Sequence, residues 1–171
     1  MESVTEKGMR VSKSAAEIGG APDLSGGGDK ILINSVVFGD IEVAPESLIT
    51  FSHGLVGFSD VRRFFIRDFD QGLPFKWLHA VDVPSLAFVI ADPLTFEKDY
   101  HITLRRSDVA ELGPTSETKC SLYVILTMHK GEPSKTTANL RAPVIINTQT
   151  MKGKQVVLSD NSYQLQHPLF K

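Results

Sequence analysis

The sequence predicts a mainly β fold: one antiparallel, barrel-like domain with a few short helical turns, preceded by a flexible N-terminal arm over residues 1–30. Three observations predict it. From Ile31 onward, short apolar or alternating runs are separated by turn residues. No helical period of roughly 10–15 residues separates those runs, which argues against a parallel α/β sheet and for an antiparallel barrel. The chain has 171 residues, a one-domain length that buries enough surface to fold without disulfide or metal.

The arm is set apart by Gly26-Gly27-Gly28 and by few large apolar residues. Low hydrophobicity without periodicity reads as a flexible extension, with Ser14 to Ile18 as a transient helical piece. The folded domain is expected over 31–171. Ile31–Val37 and Ile41–Val43 flank Phe38-Gly39-Asp40, a hairpin turn. Leu48–Phe51 is a short strand, and Ser52-His53-Gly54 opens a loop. Gly57 marks a close backbone approach or a positive φ. Ser59 is placed to cap one helical turn through Val61 and Arg62. Arg63–Arg67 returns to an extended pattern.

Phe75, Trp77, His79 and Val81 alternate along one strand face. Leu86–Ala91 and Leu122–Met128 are apolar at nearly every position, the pattern of strands covered on both faces. Ser107–Leu112 reads as a short helix with Ser107 as N-cap and Gly113 as its stop. Ala138–Ala142, Val144–Asn147 and Lys154–Leu158 supply the last strands. Pro143 breaks the first two apart, as a bulge or an edge position.

Composition bounds the function. The net charge of −2 lacks the basic excess that supplies a nucleic-acid binder with most of its affinity. The arm holds four basic and five acidic residues, so it is no electrostatic tail. Cys120 is the single cysteine; it opens an apolar run and reads as a buried thiol in a reducing compartment. No run of roughly 18 apolar residues suggests a membrane span, and the N-terminus lacks the apolar segment of a secretory signal.

Catalysis finds little footing. The five histidines form no HxH or HxxxH pair, and no carboxylate sits at a metal-ligand spacing beside two of them. His79 shares a strand face with Trp77 and reads as a packed, hydrogen-bonded core residue. No GxSxG elbow is present. The GxxG spacing of Gly54 to Gly57 lacks the Lys-Ser/Thr of a phosphate loop and the helices of an RNA-clamping domain. Basic pairs such as Arg62-Arg63 and Arg105-Arg106 are short and have acidic neighbours, as solvated strand ends do. No cofactor and no metal are expected.

What remains is a binding surface built from strand edges and loop rims. Asp82-Val83-Pro84-Ser85 and Asp92-Pro93 are tight acidic turns at neighbouring strand ends. Besides reversing the chain, Asp82, Pro84 and Asp92 are candidates to face a basic partner. Arg141 lies between apolar positions, where its guanidinium must be paired or exposed. It is a candidate anchor for a carboxylate within the fold or on a partner. Asn139 and Asn147 are candidates for the same surface, or for satisfying backbone groups beside Pro143.

Five blocks in order carry a family resemblance. They are FGDIEV at Phe38–Val43, ITFSHGLVGFSDVRRF at Ile49–Phe64, PFKWLHAVDVPSLAFVIADP at Pro74–Pro93, NLRAPVIINTQTMKGKQVVL at Asn139–Leu158, and YQLQHPL at Tyr163–Leu169. Together they resemble the flagellar assembly factor FliW family. Ser52 and His53 stand where that family usually has Pro-Glu, and Val56 where it usually has Pro. The resemblance implies a cytoplasmic, non-enzymatic protein of bacterial flagellum biogenesis. It implies two protein partners, the translational regulator CsrA and flagellin, with no direct contact to nucleic acid or membrane. Binding CsrA would relieve repression of messages such as that of flagellin, and binding flagellin would be chaperone-like. The free protein is expected to be a monomer. A flagellin-only export chaperone or structural module is the alternative. A small-molecule enzyme built on a β barrel would instead require a deep polar pocket containing His79 or Arg141.

Overall fold

The computed structural model describes residues 9–11, 28–69, 72–113, 119–159 and 161–170. The chain order is β1 (Met9–Val11), β2 (Ile31–Ser35), β3 (Gly39–Val43), β4 (Ile49–Phe51), β5 (Arg63–Asp68), β6 (Phe75–Ala80) and β7 (Ala87–Ala91). It continues with β8 (Ile102–Leu104), α1 (Arg106–Val109), β9 (Cys120–Thr127), β10 (Thr137–Ala138), β11 (Val144–Asn147), β12 (Lys152–Gln155) and β13 (His167–Pro168). Short 3-10 turns at Pro45–Ser47, Pro93–Thr95, Ala110–Leu112 and Pro133–Lys135 join them.

Seven strands close a ring in the order β4, β5, β6, β7, β9, β11, β12 and back to β4. All neighbours run antiparallel except the closing pair, where β12 lies parallel to β4, with Gly153 opposite Phe51. A closed ring leaves no ladder edge unpaired. The expected mainly β, barrel-like fold is therefore present, with one parallel seam.

The interior is filled. Ile49, Phe51, Phe64, Leu78, Ile90, Tyr123, Val144 and Ile146 form one buried cluster. Phe51 and Phe64 meet edge-on with centroids 5.1 Å apart. Gly153 is required there: a Cβ at this position would lie 2.4 Å from the Phe51 ring. A second cluster covers the outside of β7 and β9, using Val89, Leu122 and Val124 with Tyr100, Ile102, Leu104, Val109 and Leu112 from 93–112. The two continuous apolar runs are thus buried on both faces, one towards the interior and one beneath a covering layer.

Two small sheets are attached to the barrel. The hairpin β2–β3 pairs Ile31 with Val43 through Ser35 with Gly39. It packs on the barrel through Ile33 and Val43 against Phe65 and Val81. The other sheet pairs β1 with β8. Residues 9–11 of the expected flexible arm are therefore a strand. The rest of residues 1–27, including the helical piece expected at 14–18, lies outside the described residues.

Local differences have local causes. No helical turn forms after Ser59; the loop closes instead through Val61 N–H to the Phe58 carbonyl, 3.2 Å. The close approach expected at Gly57 belongs to Gly54, whose Cβ would meet the Phe58 carbonyl oxygen at 2.3 Å, while Gly57 has a positive φ of 82° and open space. The helix starts one residue before Ser107, because the Asp108 carboxylate accepts from Arg105 N–H at 2.9 Å. The strand expected at Ala138–Ala142 ends at Ala138, and the one expected at Lys154–Leu158 is Lys152–Gln155.

Candidate partner-binding surface

The surface around the hairpin tip is built from the β2–β3 turn, the Asp82–Ser85 turn and strands β5 and β6. At the β2–β3 turn, Val36 and Val37 are 77% and 47% exposed. Val36 N–H donates to the Pro84 carbonyl at 3.1 Å, so the tip lies against the Asp82–Ser85 turn. Phe38 folds back onto β6, meeting Trp77 edge-on at 5.3 Å, with the Arg67 guanidinium 4.9 Å from its ring centre. Arg63 holds Asp82 with a two-pronged contact: its Nε donates to Oδ2 at 3.0 Å and its Nη2 to Oδ1. That hydrogen-bonded fork keeps the Asp82 carboxyl below the usual carboxylate range.

Beneath the tip lies a buried polar chain. His79 is fully buried on β6. Its Nδ1 lies 2.7 Å from the Ala80 carbonyl, and its Nε2 lies 2.7 Å from Ser35 Oγ. A carbonyl only accepts, so Nδ1 carries a proton and Nε2 accepts from the Ser35 hydroxyl. Ser35 Oγ in turn accepts from the N–H groups of Val37 and Phe38, at 3.1 and 3.2 Å. Phe65 stacks on the imidazole at 5.1 Å. His79 is a core residue, and its polar atoms fix the hairpin turn to the barrel.

The structure separates the six sequence-derived candidates. Asp82 and Pro84 share the hairpin-tip surface and are exposed, although Arg63 neutralises the charge of Asp82. Asp92 is not on that surface. Its residue is buried, and its carboxylate accepts from Leu94 N–H at 2.9 Å, capping the turn at Pro93. Asn147 is fully buried; it donates to the Leu112 carbonyl at 3.0 Å and accepts from Gln149 and Thr150 N–H. Both side chains hold local backbone in place, Asn147 within the core and Asp92 at the wall of a separate cavity lined by Asp68, Lys76 and Thr95.

Asn139 and Arg141 are brought together by a loop that Asn139 makes. Its Oδ1 accepts from Arg141 N–H at 3.2 Å and from Ala142 N–H at 3.0 Å. Both β10 and β11 pair with β9, and residues 139–143 form a turn between them that is longer than the bulge expected at Pro143, with Leu140 and Ala142 buried. β11 is paired on both sides, so Pro143 does not mark an edge. Tyr100 pins the turn, its hydroxyl donating to the Leu140 carbonyl at 2.7 Å. Arg141 is half-buried.

The loop carrying the unusual Ser52-His53 pair is tied back to the body. Glu111 lies 2.9 Å from His53 Nδ1 and 2.6 Å from Lys154 Nζ. Burial pushes the Glu111 carboxyl up, but Lys154 and His53 together hold it below its ordinary value. Among the described residues no group of three or more His, Cys, Asp or Glu side chains is placed to hold a metal.

Val36, Val37, Phe38 and Arg67 were not among the sequence candidates. The signal for the first three was present in SVVFGD, where three consecutive apolar residues lead into a turn, a place where polar residues are the rule; nothing in the sequence singled out Arg67. Apolar side chains rimmed by charge are the usual chemistry of a protein-docking surface.

The comparisons agree with this architecture. The model of the FliW protein family matches residues 32–169. A flagellar assembly factor FliW of Natranaerobius thermophilus is 38% identical over 138 residues, covering 81% of this chain and 91% of its own length. The FliW of Bdellovibrio bacteriovorus is 34% identical over 140 residues, covering 82% and 79%. A crystal structure of the flagellar assembly factor FliW superposes with a TM-score of 0.75 at 35% identity, over 83% of this chain and 97% of that one.

Proposed function

This chain belongs to the FliW family of flagellar assembly factors, and on that premise we propose that it works by holding protein partners and not by catalysis. One partner is the translational regulator CsrA, which the protein binds and antagonises, relieving repression of messages such as that of flagellin. The other is flagellin itself, held as by a chaperone. Abundant unexported flagellin occupies the factor and leaves CsrA free to repress. Export of flagellin releases the factor to capture CsrA. Competition by mass action runs this switch, because each partner depletes the pool available to the other. The observation that carries the reading is the family match across residues 32–169. The exposed hairpin tip, with Val36, Val37 and Pro84 beside Arg63, Asp82 and Arg67, is compatible with it. The site of action is the cytoplasm, where both partners are made. No helix among the described residues is long and apolar enough to cross a membrane.

The test is a calorimetric titration of the protein with CsrA from the same organism, repeated with flagellin present. Binding that flagellin competes away is the expected result. Binding to neither protein would sink the proposal. A flagellin-only chaperone is the second reading. It is favoured by Ser52-His53 standing where the family has Pro-Glu, with His53 turned onto Glu111. Under that reading, deleting the protein lowers flagellin stability and leaves flagellin translation unchanged.

A further inference from the structure

We propose that one end of the barrel receives an arginine side chain of a protein partner, in a cavity between Tyr123 and the carboxylates of Asp68 and Asp92. The cavity holds about 300 Å³, enough for one such side chain, and barrel mouths are common ligand sites. The ladder places it. Asp68 ends β5 opposite Lys76, Phe75 begins β6 opposite Ala91, and Ala91 ends β7 opposite Val124 of β9. Tyr123, the residue before Val124, packs in the barrel's interior cluster and forms part of the cavity wall. It is 1% exposed, and its hydroxyl has no hydrogen-bond partner among the described residues. Ser121, two residues earlier on the same strand face, lies near the hydroxyl without making a hydrogen bond to it. Buried hydroxyls are as a rule paired. An unpaired one in a cavity wall marks the place of a group from outside the fold.

The surrounding charges decide what that group is. Burial, then the charges of Asp92 and Asp68, push the Tyr123 hydroxyl above its ordinary value, so it stays neutral and its oxygen can accept. The same two carboxylates repel an anion. Lys76 is the one cation in the wall, and its Nζ lies 2.6 Å from Asp68 Oδ1, so a single ammonium stands against two carboxylates. Asp92 accepts from Leu94 N–H through Oδ1, and a carboxylate has sites for further donors. A guanidinium carries five N–H donors in a planar fork, enough to reach two carboxylates and a hydroxyl together. It is also more weakly hydrated than an ammonium, which suits an enclosed site. The rest of the wall is largely apolar, with Phe69, Leu73 and Phe75 placed to cover a methylene stem. Leu73 is 42% exposed and the Asp68 side chain 62%, so the rim offers apolar and acidic surface to the rest of the partner. The basic partner that the sequence suggests for Asp92 is thus met at the barrel mouth and not at the hairpin tip. This inference rests on the partner-binding reading only for the source of the arginine.

The experiment titrates the full chain with arginine capped as its acetyl methylamide. It follows the amide resonances of Asp68, Lys76 and Thr95 and the ring resonances of Tyr123. Saturable shifts confined to these residues and their neighbours are expected. The capped citrulline analogue has the same shape without the charge and should bind at least roughly tenfold more weakly. Equal affinity for the two probes, or no saturable shift at the cavity, would overturn the proposal without any variant. Tyr123→Phe should weaken the arginine probe by roughly threefold to tenfold. It should leave the thermal midpoint unchanged or raised, because no internal hydrogen bond is lost. A lowered midpoint with unchanged probe affinity would make the hydroxyl a structural group and overturn the proposal. The last arm tests the source of the arginine. Tyr123→Phe should weaken, by a similar factor, the complex with whichever protein the calorimetric titration identifies. A complex left unchanged would overturn the assignment to a protein partner. The probe titration contains no partner protein, so a failure of the cavity and a failure of the partner-binding reading are told apart.

Discussion

The closed barrel and the hairpin β2–β3 are made of the same kind of strand and are held in different ways. The barrel pairs every one of its seven strands on two sides and fills its interior with large fully buried side chains. Among the described residues the hairpin pairs only with itself; it is joined to the barrel by the buried apolar contacts of Ile33 and Val43 with Phe65 and Val81, the polar chain through Ser35 and His79, the Val36–Pro84 hydrogen bond and the packing of Phe38 on Trp77. A two-stranded hairpin alone is marginal in water. Its stability is therefore borrowed from the barrel surface, and its tip keeps apolar residues exposed that a barrel strand would bury. The comparison teaches that this fold puts its permanence in the ring and its open surface on what is attached to it.

The largest effect should come from breaking the ring at its parallel seam. Phe51→Ala should cost about 3–5 kcal/mol, read as a fall in the urea midpoint of the whole domain, because a fully buried ring is lost. Gly153→Ala attacks the same contact from the other side and should cost about 1–3 kcal/mol, since the immobile Phe51 ring occupies the space of the new methyl. Combining Gly153→Ala with Phe51→Leu should cost less than the sum of the two changes. Strict additivity would show that the contact does not close the barrel.

The hairpin should fail locally. Ser35→Ala leaves His79 Nε2 and two backbone N–H groups without their buried partner, a loss of about 1–3 kcal/mol. Amide exchange should accelerate in β2 and β3 while β6 and β9 remain protected. A uniform loss of protection across the barrel would mean that the hairpin is an integral part of the ring's cooperative unit.

Smaller again is the loop at Asn139. Asn139→Ala removes the acceptor for two N–H groups and should cost about 1 kcal/mol. The melting temperature should fall without a change in the urea m-value.

The smallest effect belongs to the exposed pair at the hairpin base. Arg63 lowers the Asp82 carboxyl below its unfolded value, so the pair's contribution is complete above the ordinary carboxylate range. It disappears as pH falls through the depressed value. Both side chains are more than a third exposed, 48% and 44%, so solvent holds the contribution to at most about 1 kcal/mol. Stability of the parent and of Asp82→Asn should differ slightly at pH 6 and converge in acid once the Asp82 carboxyl is protonated. A gap that widens in acid would reverse the sign and refute the assignment.

The hairpin, the alternation along β6 and the doubly covered β7 and β9 were legible because a strand's period and its turn residues are local properties of the chain. His79 was legible as a core residue for the same reason: its strand face was shared with Trp77 and Phe75. The candidate surface was legible only in part. Asp82 and Pro84 are where an acidic turn should be, but Asp92 in a turn of similar composition is buried, and Asn147 is enclosed behind Leu112. Composition alone does not distinguish a side chain that caps its own backbone from one that faces solvent.

By itself the sequence determined the β2–β3 hairpin, most of the barrel strands, the fold class and, through five ordered blocks, the family. The tertiary structure decided which strands meet. It joined β4 to β12 in parallel across a hundred residues, set Gly153 against the Phe51 ring, and laid Met9–Val11 along β8. The physical reason is range. Side-chain alternation is written within a few residues, but closing a ring is settled by how distant apolar faces pack once the loop entropy between them has been overcome.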